Sequence, residues 1–193
     1  MFIILESIFK KMSQAMKSTS LSVKENITFE EALALTQEIM SEMETGQLSA
    51  AKIEELIGDL VKRKDTARAF FAIYLRDPRP LVDNPSPSII RALESSPETV
   101  TELLVKSLAM SSGMVVHHQR NQDQEAANES QTVRSRITKL IKSLNIPSIQ
   151  GNIQELYQSI TTDRGNYKDF LQQWGYDCEQ LKAMEQAIEP LLN

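Results

Sequence analysis

Residues 119–132 lie between two apolar helical stripes, and what the chain does there decides which folds are open to it. The stretch "QRNQDQEAANESQT" contains no glycine or proline, and its only apolar residues are Ala126 and Ala127. Before it, Val100, Leu103, Leu104, Ser107, Leu108, Ser111 and Val115 recur at spacings of three and four. After it, Val133, Ile137, Leu140, Ile141 and Leu144 do the same. Leu104 and Leu140 are 36 residues apart, ten turns at 3.6 residues per turn, so both stripes share one register. A continuous helix over 97–144 would be about 70 Å long, against a diameter of roughly 40 Å for a domain of this length. It would protrude and need a partner. The alternative is an antiparallel hairpin turning within 119–128, which is favoured because very long helices are rare in compact domains.

The other stripes are helical too. Thr28 and Glu31 are spaced as a capping box before Phe29, Ala32, Leu33, Thr36, Ile39, Met40 and Met43, a face closed by Gly46. Ser49 precedes Ile53, Leu56, Ile57, Leu60 and Val61. Asp65 is placed to cap "TARAFFAIYLR", apolar almost all round and read as a central buried helix, with a buried strand as its rival. The loop 77–87 holds four of the seven prolines and reads as an extended crossing. A short helix "SIIRALESS" follows, and Ser96-Pro97-Glu98 starts the next. Beyond "NIP" at 145–147 come helices around "IQELYQSI", "NYKDFLQQW" and, capped by Asp177, "CEQLKAMEQAIEPLL". With six glycines in 193 residues and no convincing strand, the expectation is all-α. It takes the form of a single helical-bundle domain of seven or eight helices over 28–193, with an N-terminal helical leader.

That leader, 1–27, opens on an amphipathic pattern (Ile4, Leu5, Ile8, Phe9, Met12, Met16) and continues as a polar linker, 18–27. It lacks the basic start of a signal peptide, and Met12 or Met16 could serve as the initiator. Contact of residues 1–17 with a membrane surface is the one membrane role open to it. No uninterrupted apolar run approaches 18 residues. The single cysteine, Cys178, excludes an intramolecular disulfide and points to a reducing cytoplasm. A net charge of −5 argues against wholesale nucleic-acid binding.

Candidate chemistry is sparse. His117 and His118 are adjacent, so on a helix they point about 100° apart and cannot easily grip one ion. Met114 and Val115 stand where a di-iron motif would need glutamate. Ser111 and Ser112 lie about 10 Å along the helix from the histidines, too far for a nucleophile–base pair. His118 is read as continuing the stripe to where core meets solvent. Neither metal, cofactor nor catalytic residue is assigned. Ser107, Ser111, Ser112 and Gly113 are small enough to admit a second helix backbone, or to leave room for a ligand. Arg134, Arg136, Lys139 and Lys142 form a basic island without an acid between 130 and 154, and a helical wheel puts all four off the apolar stripe. The segment 28–65, with nine acids against four bases, is its complement. Tyr167, Phe170, Trp174 and Tyr176 are taken as core packing of the last helices.

Two resemblances attach to these residues. "ITFEEALALTQEIMS" and "GQLSAAKIEELIGDLVKRKDT" resemble the small helical domain preceding the catalytic part of anthranilate phosphoribosyltransferases, but that family's glycine-rich phosphoribosyl loop is absent, so no site is implied. "LVKRKDTARAFFAIYL", "NPSPSIIRALESSPETVTELLVKSLAMS" and "YKDFLQQWGYD" resemble conserved hypothetical proteins of cyanobacteria. This implies a cytoplasmic helical protein and no particular activity. The functional expectation is a non-catalytic interaction protein, an adaptor or assembly factor working with a protein partner or a second copy of itself. A ligand cleft or active site near Gly113, His117 and His118, and a nucleic-acid-linked regulator using 134–142, are the alternatives.

Overall fold

Capping and apolar spacing place the first four helices. The computed structural model describes residues 21–192, so the amphipathic pattern of 1–17 lies outside the described residues. Thr28 accepts from the Glu31 amide and Glu31 returns to the Thr28 amide at 2.9 Å, starting α1 (Phe29–Glu44). Ser49 caps α2 (Ala50–Val61). The next helix, α3 (Lys64–Tyr74), begins earlier than its sequence suggests. Arg63 occupies the cap position, and Asp65 lies inside the first turn instead of capping it, where its charge still favours the helix N-terminus. Thr66 turns its hydroxyl back onto the carbonyls of Leu60 and Arg63, which closes the α2–α3 corner. Ser86 caps α4 (Pro87–Glu94), which carries proline at its first turn.

The described residues form two compact units, 21–96 and 97–192, dividing at the helix-start signal Ser96-Pro97. In the first, α1 packs on α3 and α2 on α4. Its core is Ile39, Met40, Leu56, Ile57, Leu60, Phe70, Tyr74, Ile89 and Leu93, each within 1% of full burial. Phe70 stacks on Tyr74 at 5.1 Å and meets Phe71 edge-on at 5.2 Å. The C-terminal part of the stretch read as a linker is fastened down: Leu21 and Ile27 are buried, and Arg63 donates to the carbonyls of Glu25 and Ile27. The proline loop is likewise tied, by a 3-10 turn at Pro80–Val82 and by Arg79, which bridges Asp77 and Glu44.

The second unit opens with the hairpin. Helix α5 (Pro97–Arg120) stops at Asn121, and α6 (Gln124–Ser143) starts after Asp123. Gln122 adopts a left-handed φ of 58°, the Asp123 amide returns to the His118 carbonyl at 3.0 Å, and the Asp123 carboxylate caps α6 by accepting from the Ala126 amide. Three polar residues thus make the turn that glycine usually makes. Ala127, one of the two apolar residues of the polar stretch, is buried. The remaining elements are α7 (Pro147–Thr162), α8 (Lys168–Trp174), α9 (Cys178–Ile188) and a 3-10 turn at Glu189–Leu191. Among the described residues this makes nine α-helices and no strand, and the all-α expectation holds.

Helix α5 is the axis of this unit, with α6, α7 and α9 packed on it. Its buried face is therefore wider than one stripe, adding Val105, Ala109, Ser112, Gly113 and Val116. Among the described residues it is the one helix long and apolar enough to cross a membrane, and 61% of that apolar window is buried inside the unit. Arg120, at its C-terminus, clasps both Asp177 and Glu179 at the start of α9. Asp177 also accepts from the amides of Glu179 and Gln180. The Arg120 guanidinium, with the Gln180 amide second, holds the Asp177 carboxyl well below the usual carboxylate range.

Candidate functional site

The residues singled out in the sequence do not converge on one pocket. His117 is exposed and its Nε2 lies 3.0 Å from the Asn121 amide nitrogen, while His118 is half-buried with its ring 5.4 Å from that of His117. Ser111 and Ser112 are buried, and both hydroxyls donate to the Leu108 carbonyl one turn earlier. At Gly113 an added Cβ would sit 2.9 Å from Met184 Cε and 3.0 Å from Tyr176 Cε1, and the Gln180 side-chain amide donates to the Gly113 carbonyl at 3.2 Å. The absence of a side chain at Gly113 lets α9 and the chain leading to it approach α5. Among the described residues, no group of three or more His, Cys, Asp or Glu side chains is arranged to hold a metal ion.

The basic island is only partly on the surface. Lys139 and Lys142 are exposed and Arg134 is half-buried. Arg136 is 7% exposed, against the helical-wheel reading that put all four off the stripe. The reason lies in its spacing: residue 136 is three after Val133 and four before Leu140, which sets it on the edge of the buried face beside Ile137. Among the described residues, Arg134, Lys139 and Lys142 make no ion pair.

The C-terminal aromatics separate instead of clustering. Gly175, at a φ of 61°, ends α8 and reverses the chain. Tyr176 is thereby laid against α5 at Gly113, while Trp174, one residue before the turn, is 55% exposed. Tyr167 is buried and Phe170 half-buried, and both face a polar cleft.

That cleft, about 560 Å³, lies between α5, α7 and the start of α8, and sequence reasoning missed it. Glu98, Glu102 and Lys106 line it from α5, Ser148, Asn152 and Glu155 from α7, Asn166 and Tyr167 from the turn into α8, and Asp169 and Phe170 from α8 itself. The first two sets recur at spacings of three and four, so each is one polar helix face, and the two faces oppose each other. The Thr101 and Ser148 hydroxyls meet across the cleft floor at 3.2 Å. Tyr167 donates to Asn152 Oδ1 at 2.7 Å, and Asn166 donates to Glu155 at 2.9 Å. Lys106 pairs with Glu102 at 2.7 Å and stands 5.7 Å above the Phe170 ring. The lining thus holds four carboxylates and one ammonium. Burial, and then the charges of Glu155 and Glu102, push the Tyr167 phenol up to about 12. A second groove, about 420 Å³, lies at the α6–α7 corner against Pro190 and Leu191; its lining mixes apolar side chains with Lys142, Asn145 and Gln150.

No curated protein and no solved structure shows significant similarity to this chain. A family model does match, over residues 28–191, which takes in all nine helices and both clefts. The chain belongs to that family, described as uncharacterised conserved protein UCP020893.

Proposed function

We propose that the protein is a non-catalytic interaction protein of the cytoplasm, an adaptor or assembly factor, and that it engages an acidic protein surface through the outward face of α6. The observation that supports this reading is the charge pattern of that helix. Arg134, Lys139 and Lys142 stand on a chain of net charge −5, in a stretch free of acids from 130 to 154, and no carboxylate among the described residues pairs with them. Several basic groups elsewhere are matched: Lys52 with Glu55, Lys62 with Asp59, Arg79 with Asp77 and Glu44, Arg91 with Glu54, Arg120 with Asp177 and Glu179. Those that are not, such as Arg76, Arg164 and Lys182, do not share one acid-free stretch of helix as these three do. An unmatched basic face on an acidic chain steers an acidic partner and repels a basic one, which gives specificity and association rate. The acid-rich segment 28–65 makes a second copy of the chain one such partner.

The triple variant Arg134→Glu, Lys139→Glu, Lys142→Glu tests this. Wild type and variant are used as baits in cross-linked affinity purification with quantitative mass spectrometry, after nuclease treatment, beside size-exclusion chromatography with light scattering. The expected result is one acidic partner, or a self-associated species, retained by wild type and reduced about tenfold or more in the variant, with retention falling as salt rises. Identical partner sets and identical mass for both proteins would contradict the proposal. Loss of the retained material on nuclease treatment would favour the nucleic-acid reading instead.

A further inference from the structure

We propose that the acidic partner of α6 is a second copy of this chain, and that α6 docks on the outward face of that copy's α1. The inference rests on the acid-seeking role of α6 and names its partner. The two helix faces are opposite in charge. Residues 25–51, which include α1, hold six acids and no Lys or Arg, whereas residues 130–154 hold four bases and no acid. On α1, Glu31 is paired with Lys24 and Glu44 with Arg79. Glu30 and Glu38 are exposed and make no ion pair among the described residues. They are charges that α1 holds out to solvent, as Arg134, Lys139 and Lys142 are on α6.

Spacing supports the match as well as sign. Glu30 and Glu38 are eight residues apart, about 12 Å along the helix axis. Arg134 and Lys142 have the same separation, so the acidic pair of one helix spans the same length as the basic pair of the other. Midway between the charges stand Ala34 on α1 and Thr138 on α6, both small enough to let the two helices come close. The Thr138 hydroxyl already donates to the Arg134 carbonyl at 3.0 Å, so covering it costs no hydrogen bond. Arg134 can grip a carboxylate through two parallel N–H donors, and the two lysines act as point charges. Copies of net charge −5 repel one another overall, and salt relieves that repulsion. Self-association that salt weakens is therefore carried by a local pairing of opposite charges.

The test is sedimentation velocity on the full chain over a concentration series, at low and high salt. It compares wild type with two charge-reversed variants. One is Arg134→Glu, Lys139→Glu, Lys142→Glu on α6, and the other is Glu30→Lys, Glu38→Lys on α1. Circular dichroism and melting temperature check that each is folded, and Glu38→Lys alone, away from the helix start, replaces the α1 pair if the pair is not. The expected result is self-association of wild type that salt weakens, and that either variant alone loses about tenfold or more. An equimolar mixture of the two variants should recover it, because the reversed α6 of one again meets an opposite charge on the reversed α1 of the other. Wild type that stays monomeric throughout would overturn the proposal, as would association indifferent to both variants or a mixture that fails to recover it. A monomeric wild type that still captures an acidic protein through Arg134, Lys139 and Lys142 would overturn self-docking alone. Loss of every α6-dependent partner, self included, would remove the reading on which it rests.

Discussion

Gly113→Leu is expected to destabilise the second unit by about 3 kcal/mol, because an overpacked, well-filled contact must move backbone to relax. A Cβ alone at this position would come within 2.9 Å of Met184 Cε and 3.0 Å of Tyr176 Cε1. The methionine methyl is the end of a flexible side chain and can move. The Tyr176 ring is less free, because it follows the turn at Gly175 and precedes the Asp177 cap of α9. Leucine adds three further carbons to the same space, which can be found only by lifting α9 and breaking the Gln180 bond to the Gly113 carbonyl. Gly113→Ala makes the informative contrast. Alanine gains about 1 kcal/mol of helix propensity in mid-helix and loses a similar amount in displacing the methionine end and the ring, so the net should lie near zero. Urea unfolding followed by circular dichroism separates the two. Equal, small effects from both would mean that α9 does not seat against Gly113.

Phe70→Ala carries the largest expected effect in the first unit, about 3–5 kcal/mol. Phe70 is fully buried on α3, stacked on Tyr74 and edge-on to Phe71, in the helix that α1 covers. Removing the ring loses its burial and both aromatic contacts, and leaves a cavity between helices held at both ends by neighbouring turns. Phe70→Leu keeps most of the volume and should cost less than half as much. Thermal melts of both variants give the comparison. A Phe70→Ala melt within a degree or two of wild type would show that α3 is not the buried centre of its unit.

The helices were largely legible because their signals are local. Capping residues Thr28, Ser49 and Asp177 all act as caps, and Gly46 and Gly175 take positive φ where the helices before them stop. Asp65 misled because an acid serves equally well as cap or in the first turn, and only the neighbouring Thr66 contacts distinguish the two. The hairpin was harder to read. Its turn uses Gln122 in a left-handed conformation and Asp123 as cap, and the only sequence hint was Asn121 and Asp123 two apart in a polar run. Arg136 illustrates a different limit: a helical wheel drawn on the narrow Val133–Ile137–Leu140–Leu144 stripe sets it outside, whereas the buried face of the folded helix is wide enough to cover it.

The cleft is written into the sequence only as two separate polar helix faces. Glu98, Glu102 and Lys106, and Ser148, Asn152 and Glu155, are polar faces at helical spacing, each unremarkable on its own helix. Only the packing of α7 on α5 sets one against the other, and that is a tertiary fact. The same applies to Gly113, whose small size announces a close approach without naming Tyr176 and Met184 as what approaches.

The closure of residues 97–143 on themselves is the claim on which the α6 surface depends, since an open helix would turn that face into a seam for a partner strand of the bundle. It can be measured by pulsed electron spin resonance between labels at Glu98→Cys and Ser143→Cys in a Cys178→Ser background. A hairpin brings the start of α5 and the end of α6 to the same end of two adjacent helices, whose axes lie about 8–10 Å apart, and predicts a label separation under about 25 Å. A continuous helix would place those positions about 68 Å apart, and a distribution centred there would contradict the account.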